Sequence, residues 1–464
     1  EKRRNFTLEL HHTPGSGGST VALRCGWELR RDFVVAVLRQ YSQTTADRID
    51  QLFRLSQKPV LLIAEAALLD PAQREDLYRE ISRRNIRCVI LYVMRGFAER
   101  FDDSAGRLVL ADPMSDTEAS DFLRVFSSRT TSNRRLKALH DLTTSAVLNS
   151  YRSPFLYGLT AYEEDFESVD RFVAVHLDAA TPSVQRIIRY LALVTRYTQT
   201  GISVPFLNTL LGLDAASDVG LPEALGDSTS RLTVRRDQLV RLLHPVIAEE
   251  VLKQSLGRTE DWRYGLKNVG LEFITEAVNT LGADADETLH LFRELFIRRD
   301  FWTPGVRRRR NFSELVVEIP SVAGQHQVLQ RLTEVCPTDP HFWNHLGRHH
   351  IYEMKQDFAA AELYLKKAIE LDPTDQVHHH ALGMVRRFWI RSIISEVLRS
   401  NTPPTAEALF KSIDTLLTGA ADEFAVTRQL APDDDHGYIT HSQLVIEVLE
   451  ALVRLNPEKS LPEL

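Results

Sequence analysis

Cysteine and long apolar runs are both scarce in this chain of 464 residues. Its three cysteines, Cys25, Cys88 and Cys336, lie far apart and form no metal-ligand spacing and no disulfide framework, which favours a reducing, cytoplasmic location. No apolar run reaches the roughly 18–20 residues that a membrane span needs, so we expect no membrane partner. The net charge of −7 argues against a protein built mainly to hold nucleic acid.

The chain also lacks an initial methionine and a secretory signal. It begins with the charged segment Glu1–Arg4, and no apolar stretch follows it. We therefore expect these residues to be a piece of a longer protein. Their number is too large for one hydrophobic core and predicts about three or four modules.

The first 115 residues alternate strand and helix patterns. The runs Val60–Ile63 and Cys88–Met94 are continuously apolar, which is typical of strands buried on both faces of a sheet. With helices between the strands, the pattern predicts an α/β fold with a five-stranded parallel sheet. The predicted strands are Phe6–Leu10, Phe33–Leu38, Val60–Ile63, Cys88–Met94 and Arg107–Leu110.

Beyond residue 116 the pattern becomes mainly helical. Between Thr181 and Leu256 we predict helices with a short β wing, in which Thr229–Val234 is a strand and Asp237–Leu252 is mostly helix. Helices then continue to the end of the chain, apart from a candidate strand at Leu315–Ile319.

A glycine-rich segment, His11-His12-Thr13-Pro14-Gly15-Ser16-Gly17-Gly18-Ser19-Thr20, joins the first strand to the first helix. Glycines let the backbone approach a phosphate closely, and the N-terminus of the helix offers free N–H groups and a positive dipole end. A hydroxyl of Ser19 or Thr20 would bind Mg²⁺, and we select Ser19. The segment therefore predicts a phosphate-binding loop.

The usual loop of this kind ends in Gly-Lys-Ser/Thr, but Gly18 stands at the lysine position here. Without that cation, tight binding and fast hydrolysis are both in question, so we predict at most a weak ATPase. The alternative is a glycine-rich turn that binds no ligand.

Two further strand ends carry candidate catalytic residues. Val60–Glu65 is an apolar strand that ends in an acid, although Ala64 replaces the usual aspartate; Glu65 would orient a water or hold Mg²⁺ through water. Arg95 follows the fourth strand, where a cation could reach a γ-phosphate. The alternatives are a solvated carboxylate and a surface arginine.

Taken in order, these features resemble the STAND NTPases, the signal-transduction ATPases with numerous domains. Residues 108–119 resemble the entry to that family's helical lid, and Ser153–Leu159 resembles the lid motif whose proline, here Pro154, packs against adenine. His244 falls in a predicted winged-helix domain, and the resemblance implies that it contacts the β-phosphate of ADP. The implied cofactors are ATP or ADP with Mg²⁺.

The lysine-less loop and the segments Arg152–Ala161 and His244–Glu249 are similar to the sterile-alpha-motif-domain-containing-9 family. This resemblance implies an antiviral or antiphage nucleotide switch that forms homo-oligomers on activation, and any nucleic acid would be bound by domains outside these residues. It adds His12 and Pro14 to the cofactor-binding set, which comprises His12, Pro14, Gly15, Ser16, Gly17, Gly18, Ser19, Thr20, Pro154 and His244. The implied domains are an NTPase domain at 1–128, a lid at 129–180, a winged helix at 181–256 and helical repeats at 257–464.

The C-terminal region carries one tetratricopeptide-like unit at His341–Pro373, with Trp343 expected between paired helices. Leu382-Gly383 repeats Leu346-Gly347 after 383 − 347 = 36 residues. Stacked helix pairs form a concave face, so we expect an unknown protein or viral trigger to bind there. The alternative is a structural spacer.

Histidines cluster in this region, and His341, His345 and His349 share a helix face, so a zinc site is one alternative to simple packing. Two rival functions remain for the whole chain. One is a STAND-type transcription regulator, and the other is a degenerate NTPase fold that serves as a scaffold.

Overall fold

The computed structural model describes most of the chain in two compact units. Among the described residues, the first unit ends at Ser255 and the second begins at Leu256. The described residues are 6–12, 15–69, 71–95, 107–110, 113–145, 152–163, 166–198, 200–216, 221–236, 238–257, 260–298, 311–354, 357–432 and 434–456.

The first unit opens with a five-stranded parallel sheet in the order β2-β3-β4-β1-β5. This confirms the predicted α/β fold. In the sequence, β2 comes between the glycine loop and β3. In the sheet, however, β2 is an edge strand, and β4 lies between β1 and β3. The strands are β1 Phe6–His12, β2 Val34–Val37, β3 Val60–Glu65, β4 Cys88–Arg95 and β5 Arg107–Val109.

Both faces of the sheet are covered, as the continuous apolar strands predict. Successive side chains of a strand point to opposite faces, so β3 contributes to two core clusters. One cluster contains Val60, Leu62 and Ala64, and the other contains Leu61 and Ile63. Helix α1 (Gly18–Leu29) contributes to the second cluster, whereas helices α2 (Thr45–Ser56) and α3 (Pro71–Arg83) contribute to the first.

A small helical layer follows the sheet, with its own core around Leu139, Leu156 and Tyr157. Its first helix starts at a capping box, in which Ser115 accepts a hydrogen bond from the backbone N–H of Glu118 and the Glu118 carboxylate accepts one from Ser115. The helices are α4 Asp116–Ser127, α5 Asn133–Thr144, α6 Pro154–Tyr162 and α7 Val169–Asp178.

The last part of the first unit combines helices with a three-stranded antiparallel sheet in the order β6-β8-β7. The expected helix over Asp237–Leu252 is wrong in its first part, because β8 pairs with β7 there. A helix that starts at Pro245 also cannot include the preceding residue easily. The elements are α8 Pro182–Tyr197, β6 Ile202–Ser203, α9 Val204–Leu210, α10 Leu221–Leu225, α11 Asp227–Ser230, β7 Thr233–Arg236, β8 Leu239–Leu242 and α12 Pro245–Leu256.

In the second unit, the regular elements within the described residues are helices, and the candidate strand at Leu315–Ile319 is wrong. Leu315, Val316 and Ile319 are buried while Val317 is exposed, a spacing that suits one face of a helix. The α-helices are α13 Leu266–Leu281, α14 Asp286–Phe292, α15 Glu314–Glu318, α16 Val322–Val335, α17 Pro340–Tyr352, α18 Phe358–Leu371, α19 Gln376–Arg399, α20 Ala406–Leu430 and α21 His436–Leu455.

Helices α17 and α18, and then α19 and α20, pack closely in pairs. A side chain at Gly347 would lie 2.8 Å from Leu365 of the paired helix, and one at Gly383 would lie 2.6 Å from Phe424. The two glycines that repeat in the sequence therefore serve the same close helix approach. Trp343 does not lie fully between the helices as expected; it is half-buried, while the neighbouring Phe342 is fully buried.

No helix within the described ranges is both long enough and apolar enough to cross a membrane.

Candidate functional site

Three strands of the first sheet end together at one edge. The last residue of β1, His12, lies opposite Arg95 at the end of β4, and Glu65 at the end of β3 lies opposite Val93. Because the strands are parallel, their carboxyl ends meet at one edge, which is the usual place for ligands in such sheets. Pro14 and the side chain of Arg95 lie outside the described residues.

The glycine loop turns from this edge into helix α1. Gly15 and Gly17 have φ angles of 93° and 89°, a conformation that residues with a side chain rarely adopt. Helix α1 begins at Gly18 and has no acidic residue of its own in its first turn. Ser16 is buried, and Thr20 is exposed on the first turn.

The predicted Mg²⁺ residue and the predicted catalytic acid meet directly. The hydroxyl of Ser19 donates a hydrogen bond of 2.6 Å to Oε1 of Glu65, across 46 residues of sequence. Ser19 is in the first turn of α1 and Glu65 ends β3, so packing of this helix on the sheet creates the pair. A hydroxyl and a carboxylate in contact are oxygen ligands of the kind Mg²⁺ prefers.

His12 fills the space beside Gly18. The Cβ of any side chain at Gly18 would fall on the imidazole ring of His12, only 2.6 Å from its Nε2. His12 is buried, so its ring has little room to move away. The His12 ring therefore occupies the space that a lysine side chain at position 18 would need, so the histidine and the glycine are sterically linked.

The helical layer contacts the loop through the start of α6. The ring of Pro154 lies 3.7 Å from the position of a Cβ on Gly17, and the backbone N–H of Phe155 donates to the carbonyl of Gly15 at 3.3 Å. Ser153 caps α6 by accepting from the N–H of Leu156. Capping holds this turn of α6 in place against the loop.

His244, just before α12, also contacts the loop. A Cβ on Gly15 would lie 3.1 Å from Cε1 and 3.5 Å from Nε2 of this imidazole. The ring stacks on Phe155 with centroids 3.8 Å apart and an angle of 17° between planes. Its Nδ1 accepts a hydrogen bond from the N–H of Val246 at 3.2 Å, so a neutral ring carries its proton on Nε2, close to Gly15.

The structure thus brings His12, the described loop residues, Glu65, Pro154 and His244 to one place. It also adds two residues that we did not select, Ser153 and Phe155. Both stand beside Pro154 in the segment that suggested the lid, so their position in that motif was the available signal. The stacking of Phe155 on His244 depends on residues 89 positions apart (244 − 155 = 89) and had no local signal.

Two curated proteins are similar to this chain over most of its length. The sterile alpha motif domain-containing protein 9-like of Homo sapiens is 24% identical over 418 residues, which is 83% of this chain and 25% of that protein. Its namesake from Mus musculus is 25% identical over 423 residues, again 83% of this chain and 25% of that protein. The chain thus corresponds to about a quarter of each relative. No family model matches it.

Three solved structures resemble the fold only distantly. A STAND protein with a tetratricopeptide repeat sensor from Pyrococcus horikoshii has a TM-score of 0.34 at 11% identity, over 97% of this chain and 69% of that one. The RuvB branch migration motor of Thermotoga maritima has a TM-score of 0.21 at 15% identity, over 51% of this chain and 84% of that one. Yeast Tom70 has a TM-score of 0.19 at 12% identity, over 95% of this chain and 86% of that one. At these TM-scores the likenesses carry no argument about function.

Proposed function

We propose that the first unit is an adenine-nucleotide switch of the STAND type. The observation that carries this proposal is the convergence of three distant segments on one glycine loop. Glu65 accepts a hydrogen bond from Ser19, Pro154 lies beside Gly17, and His244 lies beside Gly15. A plain strand-to-helix turn would need none of these contacts.

The residues at the loop suit the phosphates of ATP or ADP and a Mg²⁺ ion. Gly15 and Gly17 leave the backbone open to close approach, and the start of α1 provides N–H groups and a positive dipole end. Bound nucleotide would bring negative phosphate charge to this edge of the sheet, and the hydroxyl of Ser19 and the carboxylate of Glu65 would hold the metal. Arg95 ends the neighbouring strand.

Turnover in this site should be slow. The loop has no lysine to bridge the β- and γ-phosphates, and Glu65 is preceded by Ala64 in place of the usual aspartate. We therefore propose a protein that binds nucleotide to set its conformation, with weak ATPase activity at most.

In this proposal His244 links the last domain of the first unit to the nucleotide. Its Nε2–H would donate to the β-phosphate of ADP while Phe155 and the Val246 N–H hold the ring in place. Release of this link would open the unit and permit exchange for ATP. A trigger that shifts the closed form from 99% to 1% must favour the open form by about 5.5 kcal/mol.

The wider role is also a proposal. The resemblance to the sterile-alpha-motif-domain-containing-9 family implies an antiviral or antiphage defence protein with homo-oligomers as its active form, and the chain's similarity to two 9-like relatives is consistent with that family. The helical repeats would bind a protein or viral trigger. In this proposal the switch consists of four domains, with limits at 1–128, 129–180, 181–256 and 257–464.

One observation favours the rival function, a scaffold that binds no nucleotide. The His12 ring occupies the space in which the lysine side chain of an ordinary loop would begin. A binding titration with a fluorescent ADP analogue separates the two functions, since a scaffold would bind none.

Gly17→Val is the variant that tests the loop. We expect it to abolish binding, because valine is strained at a φ of 89° and its side chain would approach Pro154. Gly212→Val is the matched control. Gly212 has a φ of 73°, and no atom of the described residues lies within 4 Å of the position of its Cβ, so the backbone strain is similar but lies outside the loop. If Gly17→Val binds the ADP analogue as well as Gly212→Val and the wild type do, the glycine loop is a turn that binds no nucleotide.

A further inference from the structure

Two histidines and one aspartate converge in the second unit, outside the nucleotide site. Their ligand atoms, on His341, Asp375 and His378, all lie within 4.8 Å of one another. It is the one group of three or more histidine, cysteine, aspartate or glutamate residues with metal-like spacing within the described part of the chain.

The cluster lies between two consecutive helix pairs. His341 is in the first turn of α17, Asp375 is the N-cap of α19, and His378 is in the first turn of α19. His341 and Asp375 are separated by 375 − 341 = 34 residues, the length of one tetratricopeptide repeat. Stacking of the repeats therefore brings corresponding ends of the two helices together.

His378 presents a buried nitrogen to the other two residues. Its side chain is 1% exposed, and Nε2 makes no hydrogen bond within the described residues, although it lies 3.4 Å from Oδ2 of Asp375. Two ligand atoms bound to one tetrahedral zinc ion at about 2.0–2.1 Å are about 3.3 Å apart. The spacing of Nε2 and Oδ2 thus suits two ligands of one metal ion.

The remaining polar atoms leave these ligand atoms available. Nδ1 of His378 lies 2.8 Å from the side-chain amide of Asn344, and an amide can accept from Nδ1–H once its oxygen and nitrogen are exchanged. That arrangement directs the lone pair of Nε2 toward the cluster, as in many metal sites. Asp375 uses Oδ1 to cap α19 by accepting from Val377 at 2.8 Å, so Oδ2 remains for a metal.

The packing and exposure of the cluster also suit a cation that enters from solvent. The ring of His341 faces that of His378 edge to face, with centroids 5.7 Å apart. His341 and Asp375 are partly exposed, which gives an ion a path from solvent and room for a fourth ligand such as water.

We propose that His341, Asp375 and His378 bind one Zn²⁺ ion, which joins the start of α17 to the start of α19. Two imidazole nitrogens and one carboxylate oxygen are a ligand set that zinc accepts, with one position left open. This set differs from the one that helix spacing suggests. His349 bonds to Gln325 through Nε2, and His345 packs edge to face on Phe312.

The test is a zinc titration of the full chain, free of any histidine tag and stripped of metal, in competition with a coloured zinc chelator. We expect one zinc ion per chain. Asp375→Asn should weaken binding at least about tenfold, because asparagine can still cap the helix but lacks the negative charge. His341→Gln, at a partly exposed position, should weaken it similarly.

Asp357→Asn is the matched control, since Asp357 caps α18 in the same repeat and does not belong to the cluster. It should bind zinc like the wild type, and Co²⁺ should give tetrahedral ligand-field bands in the wild type and the control only. Circular dichroism would establish that all variants remain folded.

Absence of stoichiometric binding in the wild type, or wild-type affinity in either ligand variant, would overturn the proposal. Loss of nucleotide binding in the first unit would leave this result unaffected.

Discussion

Gly18 stands where an ordinary phosphate-binding loop carries lysine, and its surroundings explain why a side chain is absent. The Cβ of any other residue would meet the ring of His12, which is itself buried at the end of β1. A sequence comparison with ordinary loops shows only that lysine is missing. The structure shows that His12 and Gly18 depend on each other.

This dependence predicts that the effect of Gly18→Ala changes sign. In the wild type we expect the free energy of unfolding to fall by about 1–3 kcal/mol, because the methyl group overpacks against His12. In a His12→Ala background the same change should raise it by about 0.4–1 kcal/mol, because alanine reduces the conformational entropy of the unfolded chain and Gly18 does not need a positive φ. Chemical denaturation of the four proteins completes the cycle. Additive effects would mean that the ring of His12 moves aside freely.

His244 predicts a second residue-scale effect, on the affinity for ADP. His244→Asn keeps an acceptor for the N–H of Val246 but removes the Nε2–H and the stack on Phe155. A charge-assisted hydrogen bond is worth roughly 1.5–3 kcal/mol, so ADP should dissociate about tenfold to a hundredfold faster. The variant should also oligomerise more readily.

Stopped-flow release of labelled ADP and light scattering measure these two quantities. The melting temperature of the nucleotide-free protein serves as the control and should stay near that of the wild type. Unchanged release and unchanged mass together would assign His244 a structural role only.

At the scale of helices, α16 and α17 bury a group of imidazoles. Nε2 of His326 lies 3.1 Å from Nε2 of His350, and His349 packs beside His326 with ring centroids 6.0 Å apart. Burial, followed by the neighbouring imidazoles of His326 and His350, lowers the pKa of His349 to about 4. Burial also lowers the pKa values of His326 and His350, the latter despite Asp357 nearby.

These shifts predict that the second unit loses stability in mild acid. The unfolded chain has a histidine pKa of about 6.5, so between pH 6.5 and about 4 it binds protons that folded His349 does not. The contribution of neutral His349 to the free energy of unfolding is therefore fully present above pH 6.5. It falls as the pH decreases through this window, by up to about 1.4 kcal/mol per pH unit for one group. Urea unfolding at several pH values should show a shallower dependence for His349→Gln than for the wild type. Equal slopes would contradict the low pKa.

The regular elements were largely predictable from local pattern. Continuous apolar runs located β3 and β4, and the glycine loop located the start of α1 within a few residues. The strand predicted at Thr229–Val234 begins later, at Thr233, because Asp227–Ser230 forms a helix. Two further segments failed for physical reasons. Pairing with β7 makes Leu239–Leu242 a strand, and the burial of Leu315, Val316 and Ile319 on one side makes Glu314–Glu318 a helix. In both cases the neighbouring element, absent from a local window, decides the outcome.

At the scale of the whole molecule, each unit has hydrophobic clusters of its own. The two clusters on the first sheet lie entirely within residues up to 93, whereas those of the helix pairs lie within residues 351–452. A domain needs a core of this kind to fold independently.

We therefore expect fragments 1–255 and 256–464 each to show a cooperative thermal transition. ADP should raise the melting temperature of the first fragment, because binding only to the folded state stabilises it, and should leave that of the second unchanged. Differential scanning fluorimetry measures both. A broad, non-cooperative transition in either fragment, or an ADP effect on the second, would contradict this division.

The sequence by itself determined the α/β class, the position of the glycine loop and the helical repeats, because these depend on local periodicity, turn residues and repeated small residues. Only the tertiary structure decided which side chains meet. It placed His12 against Gly18, His244 against Gly15 and Phe155, and Asp375 beside His341 and His378. Such contacts join residues far apart in the chain, and their geometry depends on how helices pack on a sheet or on one another, which no local pattern specifies.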